Sequence, residues 1–77
     1  MTTETMDFLL SQKNLAVVYL NNKEYQEWVW QETIPNGATL YVHGEGSKGY
    51  SRDDAYEDAF RHALGLDPIA DETKIKH

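Results

Sequence analysis

Residues 44–60 read GEGSKGYSRDDAYEDAF, and within them Gly44, Gly46 and Gly49 form a G-x-G-x-x-G that follows an apolar run and opens onto a helical pattern. Such a loop can cradle a phosphate on bare backbone amides, and Asp71 lies at an offset suited to a ribose-binding carboxylate. The neighbouring residues argue against that chemistry. A dinucleotide site needs a second parallel strand ending in the acid, whereas Asp71 follows Pro68 with no apolar strand between them. Ser51 occupies the helix start, and Glu45, Asp53 and Asp54 surround any incoming phosphate with negative charge that Lys48 alone does not balance. The glycines are therefore read as a hinge that lets the chain leave an edge strand and swing back over the sheet. No cofactor is expected.

Other reactive types are sparse. His43, His62 and Glu45 could in principle converge on a metal, but they lack the i, i+4 helical pairing of zinc enzymes. The preferred reading is polar surface histidines, with no metal. Ser11, Ser47 and Ser51 are the serines, of which the last serves best as a helix cap, and cysteine is missing altogether. Asp53/Glu57 and Asp54/Asp58 make paired carboxylates one helical turn apart, yet on an exposed helix with no apolar pocket to raise a pKa. The expectation is a non-enzyme.

Certain elements must position these residues. In TMDFLLSQKN, Thr5 is a candidate N-cap, Asp7 falls in the first turn, and Met6, Leu9 and Leu10 share a helical face. A short first helix is expected, the competing reading being that DFLL is a strand. LAVVYL is β-branched and aromatic and predicts a strand from Asn14 to Leu20, with NNKE as the following turn. YQEWVWQE sets Trp28 and Trp30 on one face of a second strand and Tyr25 and Val29 on the other. After the turn residues IPNGA, TLYVHG alternates Leu40 and Val42 against Tyr41 and His43.

The second helix has the clearest punctuation. Ser51 caps it with Asp54 three residues on, Gly65 ends it and Pro68 blocks continuation. Ala55, Tyr56, Ala59, Phe60, Ala63 and Leu64 form its apolar stripe. The fold class expected is α+β: a three-stranded antiparallel meander with a C-terminal helix packed on one face and a short N-terminal helix, in the order αβββα. Residues 1–66 form one small domain and 67–77 a C-terminal tail.

The glycines after the third strand, then Ser51, Arg52, Ala55, Ala59, Ala63 and Leu64, resemble the end of a double-stranded-RNA-binding domain, whose order is helix, three strands, helix. That resemblance implies a cluster of lysines at the start of the second helix for contacting RNA. Arg52 matches one basic position, but Asp53 stands where the next would be and Tyr56 replaces a further lysine. Reversed charge beside a phosphate repels it, so the resemblance supports the fold and counts against RNA binding.

The chain of 77 residues carries 13 acids against seven bases, a formal charge of −6. That balance repels nucleic acid and anionic lipid and attracts basic partners. The apolar runs FLL and LAVVYL are too short to span a bilayer, and MTTETMD lacks the cationic start of a signal peptide. A cytoplasmic setting is expected.

Two features exceed what folding needs. One is the acidic helix face of Asp53, Asp54, Glu57 and Asp58. The other is the sheet face left open by the second helix, expected to show Trp28 and Trp30, with Tyr41 and His43; the alternative register makes the two Trp residues core. Together they suggest a protein-binding module, a small inhibitor or adaptor docking on a basic surface of a larger, nucleic-acid-handling protein, with acids steering and aromatics anchoring. In size, charge and style the chain is similar to phage-encoded antagonists of host defence, including anti-restriction and anti-CRISPR proteins. Small antitoxin-type domains look similar at this level.

Overall fold

The structure is a computed structural model that describes residues 1–44, 49–67 and 73–75. Helix α1 (Thr3–Ser11) leads into strands β1 (Leu15–Asn21), β2 (Gln26–Thr33) and β3 (Thr39–His43), followed by helix α2 (Arg52–Ala63) and a short strand β4 (Thr73–Ile75). The arrangement is α+β, with the strands in one antiparallel sheet of order β1-β2-β3-β4. The expected three-stranded antiparallel meander and its two helices are present, and a short fourth strand adds to them where part of the expected tail pairs along β3, with Val42 opposite Lys74.

Local chemistry sets the boundaries. The α1 cap is Thr2 rather than Thr5: its hydroxyl accepts from the Thr5 amide at 3.1 Å, which leaves Glu4 as the first-turn acid and Asp7 further in. Asn14 adopts φ +61°, so it serves as the left-handed corner between α1 and β1 and not as the first residue of the strand. At the β1–β2 turn the Asn22 carboxamide oxygen accepts from the amides of Glu24 and Tyr25, both at 2.8 Å, an Asx turn that closes the hairpin.

The ends of α2 follow the sequence closely. The Ser51 hydroxyl accepts from the Asp54 amide at 3.1 Å. At the other end Gly65, at φ +73°, donates to His62 O while Leu66 donates to Arg61 O. Those two bonds form a Schellman motif, which requires a residue in the left-handed region where glycine carries no steric penalty.

Register assigns the two faces. Val17 lies opposite Trp30, Tyr19 opposite Trp28, and Trp30 opposite Val42, so these five share one face, while Val18, Val29, Tyr41 and His43 share the other. Both helices pack on the Trp face. Leu10, Leu15, Trp30, Val42, Tyr50, Ala55, Tyr56 and Ala59 make one buried cluster, with Met6, Val17, Trp28, Phe60 and Ala63 against it. Leu64, the last residue of the expected stripe, is instead 72% exposed beyond the end of α2, and Phe60 is half-buried.

Candidate functional site

The acids of α2 divide. Asp53, Asp54 and Glu57 are exposed, and Glu57 also accepts from Arg61 Nε at 3.2 Å along the helix surface. Asp58 is not part of that solvated face: only 1% exposed, it accepts from Trp30 Nε1 at 2.9 Å and from the Tyr50 hydroxyl. At about 100° per residue, Asp58 projects on the line of Ala55 and Ala59, towards the sheet. It is a buried acceptor that fastens α2 to β2 and to the segment returning from the glycine loop. The expectation that Asp58 joins a partner-facing acidic patch is therefore corrected.

The two tryptophans move the same way. Trp30 is 2% exposed and Trp28 half-buried, both beneath the helices, so neither lies on the face left without a described helix. The core alternative for this strand holds because α2 supplies both a carboxylate for the Trp30 indole N–H and a cation for Trp28. The Arg52 guanidinium lies 5.8 Å from the Trp28 ring and 5.0 Å from the Tyr56 ring, and donates to Thr3 Oγ1 at 2.6 Å. The one residue that matches a basic position of the RNA binders is thus turned inward, its charge held between two aromatic faces.

Tyr56 completes this layer. Its hydroxyl donates to Asp7 Oδ1 at 2.7 Å, and burial, with the Asp7 hydrogen bond and charge behind it, raises its pKa, opposed by Arg52. Thr3 with Arg52 and Asp7 with Tyr56 run α1 and α2 side by side in the same sense. Their outer surface presents exposed Glu4, Asp7, Asp53, Asp54 and Glu57, together with Phe8 at 62% exposure.

On the opposite face Tyr41 and His43 lie where the sequence places them, each half-buried. His43 stacks loosely on Tyr25 at 5.7 Å, and its Nδ1 lies 3.0 Å from Glu27 Oε1. The approach lacks hydrogen-bond geometry, and neither buried atom has a hydrogen-bond partner among the described residues. His62 belongs to the other side of the sheet, stacked on Trp30 at 4.6 Å and 3.2 Å from Glu32 Oε1. The two histidines do not meet, and Glu45, the third expected ligand, lies outside the described residues. Among the described residues no group of three His, Asp or Glu side chains could hold a metal ion.

Around the glycine loop, Gly44 and Gly49 cross so closely that a Cβ on Gly44 would stand 2.9 Å from the Gly49 carbonyl carbon, and Gly49 takes φ +62° against the Glu27 side chain. The chain then rejoins the sheet at Tyr50, bridged to Trp28. A close backbone crossing accounts for these two glycines without a ligand; Gly46, Lys48 and Asp71 lie outside the described residues.

No family model, curated protein or solved structure matches the chain. No described helix is long and apolar enough to cross a membrane.

Proposed function

We propose that this protein is a non-enzymatic binding module whose helix layer docks on a basic surface of a larger, nucleic-acid-handling protein. The observation that carries the reading is the exposure of Asp53, Asp54 and Glu57 on α2 beside Glu4 and Asp7 on α1, while Arg52 is withdrawn between Trp28 and Tyr56. Such a surface steers towards cations and repels phosphates. Phe8 replaces the tryptophans as the apolar anchor of this surface. The finer reading, an inhibitor in the style of phage anti-defence proteins, rests on small size and the −6 charge.

Two measurements test it. Immobilised protein should retain a basic, nucleic-acid-handling protein from a cell extract, release it as salt is raised, and lose it when Asp53, Asp54 and Glu57 are all changed to lysine in a variant that melts normally. Duplex RNA should show no binding by fluorescence anisotropy at low salt. RNA binding, or equal capture by the reversed variant, would overturn the reading.

A further inference from the structure

The order of the sheet leaves β1 at an edge. Which of its backbone groups point outward is fixed by two bonds at its ends: Thr33 N–H donates to Asn14 O and Asn22 N–H donates to Tyr25 O. Both belong to pairs of even β1-side residues with odd residues of β2 and its turn. In an antiparallel ladder bonded pairs alternate with unbonded ones, so Ala16, Val18 and Leu20 spend their amides and carbonyls on β2. Leu15, Val17, Tyr19 and Asn21 aim theirs away from the sheet, and none has a hydrogen-bond partner there among the described residues.

Among the described residues this edge has none of the usual protections. LAVVYLN carries no charge and no proline on a chain otherwise rich in acids, whereas exposed edges are ordinarily blunted by lysine, proline or a bulge. Its flank on the helix side is apolar as well. Tyr19 is 50% exposed. Helix α2 packs across β1 and β2 while α1 packs on β1, so α1 lies on the edge side of α2. Thr3 and Asp7 of α1 face α2; two residues beyond Asp7, at about 100° each, Leu9 falls on the flank turned away from α2, where it is 41% exposed.

We propose that the free edge of β1 is a pairing site for a second copy of this chain, two β1 strands joining antiparallel about a two-fold axis at Val18. A second copy suits this edge because LAVVYLN carries no charge, so pairing the strand with itself sets no like charges opposite one another. In that register Leu15 meets Asn21 of the second copy and Val17 meets Tyr19, so each outward amide and carbonyl faces its counterpart and each bonded pair exchanges two N–H···O bonds. Residues of like parity face one another, which joins Trp face to Trp face and Val18 to Val18. The contact is isologous and closed, so it ends at two copies and makes no fibre. Tyr19 gains cover from Val17 of the second copy, and the Leu9 flanks of the two α1 helices are brought towards the junction.

Charge gives the pairing a signature opposite to that of the docking surface proposed above. Two bodies of −6 each repel, and salt screens that repulsion, so self-association tightens with added salt while capture of a basic partner weakens. Failure of one reading therefore leaves the other standing.

Sedimentation velocity from micromolar to millimolar protein should show a monomer passing to a dimer, at lower concentration in high salt. Over the same series the amides of Leu15, Val17, Tyr19 and Asn21 should gain hydrogen-exchange protection, while those of Ala16, Val18 and Leu20 are protected throughout. Tyr19→Pro removes an outward N–H that the monomer does not use and should abolish the dimer, with Tyr19→Ala as the side-chain control that retains it. Val18→Glu, which sets like charges opposite each other at the axis, should abolish it too. A chain that stays monomeric at every concentration, a dimer that survives both Tyr19→Pro and Val18→Glu, or odd-residue amides unaffected by concentration would overturn the proposal. The exchange pattern is read on the unaltered chain, so it decides the matter even where a variant fails to fold.

Discussion

The two faces of the sheet solve the burial of polar atoms in opposite ways. On the helix-bearing face each buried or half-buried Trp and Tyr is handed a polar partner: Trp30 and Tyr50 donate to Asp58, Tyr56 donates to Asp7, and Trp28 lies under Arg52. On the other face Val29 is fully buried, and the polar pair Glu27 and His43 meets at 3.0 Å without a hydrogen bond. Aromatics with polar tips need partners that only a second layer supplies.

Breaking the helix-bearing face should cost most. Trp30→Ala empties a large buried site and removes one of the donors to Asp58, and should lower stability by about 3 to 5 kcal/mol in a urea titration, against about 2 kcal/mol for Val29→Ala across the sheet. Equal losses would show that the faces share the core evenly. Next comes a test of polar satisfaction. Asp58→Ala removes the buried acceptor of the Trp30 indole N–H and should cost about 2 to 3 kcal/mol, whereas Glu27→Gln, altering a carboxylate oxygen with no hydrogen-bond partner among the described residues, should cost less than about 1 kcal/mol. A negligible loss for Asp58→Ala would return that residue to the solvated surface.

The smallest effect sharpens the comparison through pH. Because the folded state raises the Tyr56 pKa above its ordinary 10.0, the stability its neutral hydroxyl contributes is complete below pH 10.0 and is lost as pH climbs through the folded value. Wild type should therefore exceed Tyr56→Phe by about 1 kcal/mol at pH 8, and the gap should close in strongly alkaline buffer. A gap that widens with pH would contradict the buried hydrogen bond to Asp7.

The helix ends were legible in the sequence because caps are local: Ser51 and Gly65 act on residues within one turn of themselves. The order of helices and three strands was legible for a similar reason, each run carrying its own period and turn residues. The fourth strand was not, since Thr73–Ile75 has too few residues to show a period and is defined by β3 beside it. Nor was the facing of β2, where Trp28 and Trp30 compete with Val29 and both parities are apolar; only the layer above chooses between them. Asp58 was misplaced because its charge outweighed its position. The available signal was geometric: an acid three residues after Ala55 and one before Ala59 sits inside the apolar stripe, and such a residue needs donors from elsewhere in the chain.

The clamp between α1 and α2 also bears on the order of events during synthesis. Thr3 reaches Arg52 and Asp7 reaches Tyr56, each across 49 positions of sequence. A nine-residue helix is marginal on its own in water, so α1 draws its lasting order from what it packs on, β1 and α2, and the α2 share is missing until Arg52 and Tyr56 have been made. Until then the hairpin of β1 and β2, whose contacts are local and quickly closed, stands with its tryptophans bare. The interval between the emergence of Trp30 and that of Asp58 is the period in which a nascent chain of this protein exposes its largest adhesive surface to chaperones and to neighbouring chains on the same message.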